Sequence, residues 1–288
     1  MIYIIPVNGL LNRIRSIISA KIIANHLNEN LIVIWIPEEN ICNCKYENIF
    51  DNNKSLWGNM PLNEVSNFET ENNIQLSDIP LYYNKYNNNI VTLRGGEKGE
   101  QSFISKLLKS NSKLKIIMAG GNFHPPHMNE SEFNLEKSKI YKQIKYNNFI
   151  EKNIVPIKQD TLGLHLRYTD LSMYAPSFKQ ILKSIDTINK KNNINNIFII
   201  SDNITKKNKL FNILKKKYKD KSIILSKVKN TNRNEPRGLQ YSIIDWISLS
   251  KCRHILHFKG SSFGHESHIA CSEDNARVYV ISNDTMIY

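Results

Sequence analysis

The segment Thr161–Asp170, reading TLGLHLRYTD, runs an alternating apolar stretch into His165, Arg167 and Asp170. An arginine at the carboxyl end of an α/β strand stands where such folds bind ligands. Its planar guanidinium matches a diphosphate with a two-pronged contact that lysine cannot reproduce. Strand alternation sends His165 and Arg167 to one side and Leu166 into the opposite layer, so both polar side chains can reach one ligand. The competing explanation is a surface ion pair between Arg167 and Asp170, worth at most about 1 kcal/mol.

Three more segments share this build. FIISDN (Phe198–Asn203) ends an apolar strand on Asp202, which either caps the next helix or accepts two donors from a guanine edge. DWISLSKCRHILHFKGSSF (Asp245–Phe263) carries Asp245 and Trp246 on a helix, then a strand that delivers Gly260, Ser261 and Ser262 to a helix start. Hydroxyls and free N–H groups there make a phosphate site without a metal, against the simpler role of a serine cap. VNGLLNRIR (Val7–Arg15) is a strand-to-helix turn in which Gly9 allows close approach, and Asn12 and Arg13 can donate to a sugar or phosphate. It lacks the glycines of the dinucleotide fingerprint, and alone it reads as an Asn cap and a surface Arg. Four strand ends of this kind outweigh four separate structural explanations and imply a cleft for a nucleotide with phosphates.

Alternating elements must position these residues. The N-terminal part opens as a βαβ unit, with strands at Ile2–Val7 and Leu31–Ile36 around a helix carrying Ile14, Ile17, Ile18 and Ile22. Glu38 to Asn89 is Asn-rich and reads as loops and short helices. A helix over Phe103–Lys109, a strand over Leu114–Met118 and a helix over Leu135–Ile150 follow. The second half alternates more regularly: strands at Leu162–Leu166, Ile197–Ile200, Ser222–Leu225, His254–Phe258 and Arg277–Ile281. Helices at Ser177–Lys190, Thr205–Tyr218, Leu239–Lys251 and Ser261–Cys271 separate them. This pattern predicts an α/β fold of two Rossmann-like domains, residues 1–155 and 156–288, facing one another across a cleft.

The 288 residues carry a net charge of +13, which raises nucleic acid and acidic membranes as partners. The surplus lysine is interspersed with Asn and Ile, and the densest run, Lys215–Lys221, falls at a helix end where cations favour the dipole. That reading is therefore set aside in favour of a solvated face. Cysteines 42, 44, 252 and 271 have neither a disulfide framework nor zinc-knuckle spacing and are expected as free thiols. HPPH (His124–His127) has no third ligand and reads as an acceptor-side loop, with His124 at the cleft. Trp35, Trp57 and Trp246 read as core, with Trp57 as an alternative glycan platform. The N-terminal apolar run is too short for a signal peptide and nothing is long enough to span a bilayer, so a cytoplasmic protein is expected.

VNGLLNRIRSIISA with LIVIWIPEE, HLRYTD, FIISDN and QYSIIDWISLSKCRHILHFKGSSF together resemble the motifs of GT-B-fold fucosyltransferases. These are the nodulation, α-1,6 and protein O-fucosyltransferases, with the α-1,2 enzymes more distant. The resemblance covers the first fifty residues and most of Thr161–Ala270, and leaves 51–150 unmatched. It implies inverting transfer of fucose from GDP-fucose to a glycan, with no cofactor or metal. Carried over, Arg167 binds the donor diphosphate, and His165 and Asp202 contact the guanosine. Ser261, Ser262 and Phe263 hold phosphate and ribose, while Asn12, with Arg13 beside it, lies at the donor–acceptor cleft. The second Arg of the HxRRTD motif is Tyr168 here, and the acidic residue a few positions on appears as Tyr174-Ala175. The match therefore assigns no general base. Asp170 is the candidate and Glu266 a weaker one. The alternatives are another nucleotide-sugar donor, a non-catalytic nucleotide- or glycan-binding relative, and a nucleic-acid-binding protein, the last lacking interleaved aromatics.

Overall fold

The computed structural model describes residues 1–78, 85–87, 90–93, 100–169, 175–228, 232–271, 276–281 and 286–287. The chain forms two compact units, Met1–Asn148 with Asn232–Leu239, and Phe149–Thr231 with Gln240–Tyr288.

The first unit contains β1 (Ile2–Pro6), α1 (Leu10–His26), β2 (Leu31–Ile34), β3 (Gly58–Met60), α2 (Leu62–Asn72), β4 (Lys85–Asn87), β5 (Ile90–Leu93), α3 (Glu100–Lys109), β6 (Lys115–Ala119) and α4 (Glu130–Gln143). Its sheet runs β3-β2-β1-β6-β5-β4, parallel except for the β4–β5 hairpin. Ile2, Ile4, Val33, Ile34, Ile116 and Ile117 are fully buried. Such near-continuous apolar runs belong to parallel strands covered on both faces. On one face Phe68 of α2 joins Ile5, Ile34, Ile116 and Met118. That helix is hard to see in sequence because Phe68 is its one buried residue. The helix expected over Leu135–Ile150 is two. After α4, Ile144 turns extended (φ −60°, ψ 131°) and Tyr146 bridges to Phe50, before α5 (Asn148–Asn153) begins.

The second unit continues with β7 (Thr161–Leu166), α6 (Phe178–Lys191), β8 (Asn196–Ser201), α7 (Ile204–Lys217), β9 (Ser222–Leu225), α8 (Pro236–Ser250, its residues to Leu239 belonging to the first unit), β10 (His254–Phe258), α9 (Ser262–Ile269), β11 (Arg277–Ile281) and β12 (Met286–Ile287). Its sheet order is β12-β11-β10-β7-β8-β9, parallel but for β12. Helices α6 and α7 cover one face through Ile181, Ile185, Ile188, Leu210 and Leu214. The other face packs Phe198, Ile200 and Ile255 against Leu249 and Cys252. Gly163 permits this contact, because a Cβ there would lie 2.5 Å from Leu249 Cδ1. Helix α8 starts earlier than its apolar period predicts, with Pro236 in the first helical position, where its missing N–H costs nothing. All four cysteines are buried thiols. Among the described residues no helix is long and apolar enough to cross a membrane.

Candidate functional site

His165, Arg167, Asp202, Ser261, Ser262 and Phe263 lie at the carboxyl edge of the second sheet. His165 is the penultimate residue of β7, in register with His257 of β10 and Ile200 of β8. Its buried ring stacks on Phe263 at 4.6 Å and 20°, and its Nδ1 lies 2.9 Å from Ser261 Oγ. Ser261 is also the N-cap of α9, accepting from the Gly264 N–H, and Gly260 before it takes the left-handed backbone (φ 80°). One hydroxyl thus both caps the helix and fixes an imidazole. Ser262 and Phe263 open the first turn of α9, whose free N–H groups favour an anion. Close seating of this helix requires Gly264, since a Cβ there would approach the His257 ring to 2.5 Å. His257 Nδ1 lies 2.8 Å from the Phe258 carbonyl, its Nε2 has no hydrogen-bond partner, and burial pulls its pKa down.

Arg167, partly buried, follows β7 directly. The next two residues are held by Asp202. Its Oδ1 accepts the Tyr168 N–H at 2.7 Å, and its Oδ2 accepts the Thr169 N–H at 3.1 Å and the Thr169 hydroxyl at 2.5 Å. Asp202 therefore shapes the turn that presents Arg167. The cap of α7 is Asn203, which accepts from the Lys206 N–H at 2.9 Å. Tyr168 lies buried edge-on to Phe258, with Lys206 Nζ 4.0 Å from its ring centroid. Burial, aided by the Asp202 charge, pushes its phenol up to about 12. Asp170 lies outside the described residues. Glu266 is fully buried in α9, leaving no surface for an acceptor hydroxyl to reach.

A second carboxylate, placed on a helix by the sequence but given no role there, is Asp245. Asp245 of α8 is buried, and its Oδ1 has no hydrogen-bond partner. Burial pushes its pKa up to about 7, against the lowering effects of a Ser226 hydrogen bond and the Lys207 charge. Lys207 is itself buried at the start of α7, donating to the carbonyls of Ser226 (3.3 Å) and Val228 (3.1 Å) just beyond β9. A carboxylate with an open acceptor at this edge suits a ligand with paired N–H donors.

In the first unit, Arg13 is neither a surface residue nor an open donor. It is 1% exposed, with Nε on the Asn8 carbonyl (2.8 Å), one Nη on the Ile36 carbonyl (2.6 Å) and the other on Glu38 (3.1 Å). Its guanidinium also lies 5.1 Å from the Trp35 ring centroid. These bonds tie the exits of β1 and β2 to α1. Asn12 remains half-buried and accepts from Arg15. Trp57 is core, donating to Tyr46 Oη at 2.8 Å, and His124 folds back on Pro125 and Phe133. Among the described residues no group of three or more His, Cys, Asp or Glu could hold a metal ion.

With this geometry, comparison with solved structures is informative. NodZ α-1,6-fucosyltransferase co-crystallised with GDP superposes with a TM-score of 0.62 at 14% identity, covering 99% of this chain and 97% of that one. The fold is that of the GT-B fucosyltransferases. Arabidopsis thaliana FUT1 in complex with GDP gives 0.61 at 13% identity, with coverage of 99% and 70%. POFUT1 in complex with GDP-fucose gives 0.53 at 9%, covering 97% of each chain. No family model and no curated protein sequence matches the chain.

Proposed function

We propose that this protein is a glycosyltransferase that moves fucose from GDP-fucose to a glycan acceptor, with inversion and without a metal. The observation that carries this reading is the His165–Ser261–Phe263 assembly beside Arg167 at one sheet edge. The GDP and GDP-fucose complexes among the structural neighbours support the donor.

In the reaction an acceptor hydroxyl attacks the sugar C1, and the C1–O bond to the β-phosphate breaks with its electron pair leaving on GDP. The departing diphosphate gains negative charge, which Arg167 and the N-terminus of α9 stabilise as it develops. His165, fixed by Ser261 and Phe263, orients the nucleoside end. The acceptor proton needs a base, for which Asp170 remains the candidate.

One role in this proposal differs from the one the family resemblance implies. Both Asp202 oxygens are occupied by the turn they hold, whereas Asp245 keeps an open acceptor. Asp245 is therefore the better partner for the N1–H and 2-amino group of guanine. Its Oδ1 is sealed from solvent in this form, so the side chains over it must move aside on binding.

The test is release of GDP from GDP-fucose in chelator, with and without glycan acceptors. Metal-independent release or transfer that Arg167→Ala lowers by roughly a hundredfold supports the reading. GDP that binds but is never released from the sugar, whatever the acceptor, would leave a non-catalytic nucleotide-binding protein.

A further inference from the structure

The excess positive charge is not evenly spread over the molecule. The first unit holds 18 Lys and Arg against 15 Asp and Glu, a net +3. The second holds 21 against 11, a net +10. Most of that excess sits between Phe178 and Lys221, where 12 lysines meet 3 aspartates and there is no Glu or Arg.

Folding gathers these lysines onto one face. Helices α6 and α7 lie side by side on the same side of the sheet, both buried into one core cluster. They are joined where Asp186 of α6 accepts from Tyr218 Oη (2.7 Å) and from Lys217 of α7 (2.5 Å). That pairing neutralises the one acidic residue these helices carry. Outward stand Lys179, Lys183 and Lys190 of α6 with Lys209, Lys215 and Lys216 of α7, all exposed. The core-facing positions of both helices are apolar, apart from Ser184 and the internally bonded Lys207.

The chemistry of the face narrows its partner. Lysine is a strongly hydrated point charge on a flexible stem, suited to a diffuse layer of negative charge. Arginine would be expected where a shaped phosphate is gripped in a bidentate contact. Stacking platforms for nucleic-acid bases are missing from the six positions, and the nearby rings of Phe178 and Phe211 are half-buried beneath Lys209 and Lys215. Although the lysine run reads in sequence as a solvated face, its gathering onto one surface changes that reading, and we infer that the α6–α7 face docks the protein on the anionic headgroup surface of a lipid bilayer. Each lysine near such a surface adds a comparable increment of attraction, which is lost within a Debye length and weakened by salt. This inference is independent of the sugar-transfer reading, since none of the six lysines belongs to the candidate site.

Vesicle co-sedimentation of the full chain tests it. Wild type is expected to pellet with phosphatidylcholine–phosphatidylglycerol vesicles at low salt. It should stay in solution with phosphatidylcholine alone and be released by added sodium chloride. Reversing Lys183, Lys190, Lys209 and Lys216 to Glu should lower partitioning by at least roughly a hundredfold. Reversing four exposed lysines of the first unit (Lys45, Lys113, Lys142 and Lys145) should lower it far less. Thermal melting of both variants verifies that they are folded. Failure of wild type to bind the anionic vesicles, or equal losses in the two quadruple variants, would overturn the inference. So would binding to heparin or DNA without binding to vesicles.

Discussion

Arg13 and Arg167 both lie just beyond the carboxyl end of a central parallel strand, β1 in one unit and β7 in the other. In sequence each could hold an anion. The protein uses them differently. Arg13 is enclosed, and its Nε and both Nη donate to the protein's own acceptors across two strand exits. Arg167 is only partly buried, and the turn that carries it is held by a different residue, the Asp202 carboxylate. The difference lies in what holds each turn: Arg13 commits its own nitrogens to the strand exits, whereas a carboxylate holds the turn around Arg167. Asp202 and Asp245 also differ: both Asp202 oxygens accept from the Tyr168–Thr169 turn, and Asp245 Oδ1 has no hydrogen-bond partner.

Truncating the enclosed arginine should have the largest effect. Arg13→Ala leaves the Asn8 and Ile36 carbonyls and Glu38 without their donor, and should cost about 3–5 kcal/mol in denaturant unfolding. If it costs less than 1 kcal/mol, Arg13 is no structural anchor.

A second expectation concerns pH. His254, buried at the opposite edge of β10 and 3.3 Å from Tyr279 Oη, has its pKa lowered to about 4 by burial and by Arg253 and Arg277. Unfolded, it titrates near 6.5, so on acidification the unfolded chain takes up this proton first. Its contribution is intact above about pH 6.5 and should fall by about 2 kcal/mol as pH drops toward 4. His257 and His268, also lowered by burial, act in the same direction. Replacing His254 with Gln should flatten the melting-temperature profile across this window, and an unchanged slope would refute the assignment.

Gly264→Ala probes the seating of α9 over His257. The added methyl group should cost about 2 kcal/mol and weaken nucleotide binding with it. Wild-type binding in this variant would detach α9 from the site. The smallest expected effect separates the carboxylates. Asp245→Asn should narrow the preference for GDP over ADP by roughly tenfold. Asp202→Asn should instead lower stability through the Tyr168–Thr169 turn. Because Asp245 must be ionised to accept two donors and its pKa lies near 7, wild-type GDP affinity should weaken roughly fivefold from about pH 7 to 6.

Much of the second unit is legible in sequence because its strands are unbroken apolar runs and its helices bury one clear face. The first unit is less so. Between Glu38 and Asn89 the Asn-rich chain offers little period, and α2 meets the core through Phe68 alone. The return of Asn232–Leu239 to the first unit is a tertiary event that no local pattern announces. Among candidate site residues, His165 and Ser261 stand out from their strand-end spacing and Phe263 through the family resemblance, and the structure brings the three into contact. Residue type alone cannot reveal that Arg13 is enclosed, that Asp202 accepts from two backbone N–H groups, or that Asp245 Oδ1 lacks a partner. Those are questions of which donors reach which acceptors after folding.

The central proposal is that Arg167 and its neighbours form a guanine-nucleotide site. Calorimetric titration of GDP, UDP and ADP into wild type and Arg167→Ala, without divalent metal, addresses this most directly. Binding of GDP in preference to the other two, lost in the variant while its melting temperature is unchanged, is the predicted result. Equal affinity for all three nucleotides, or GDP binding that survives in Arg167→Ala, would contradict it.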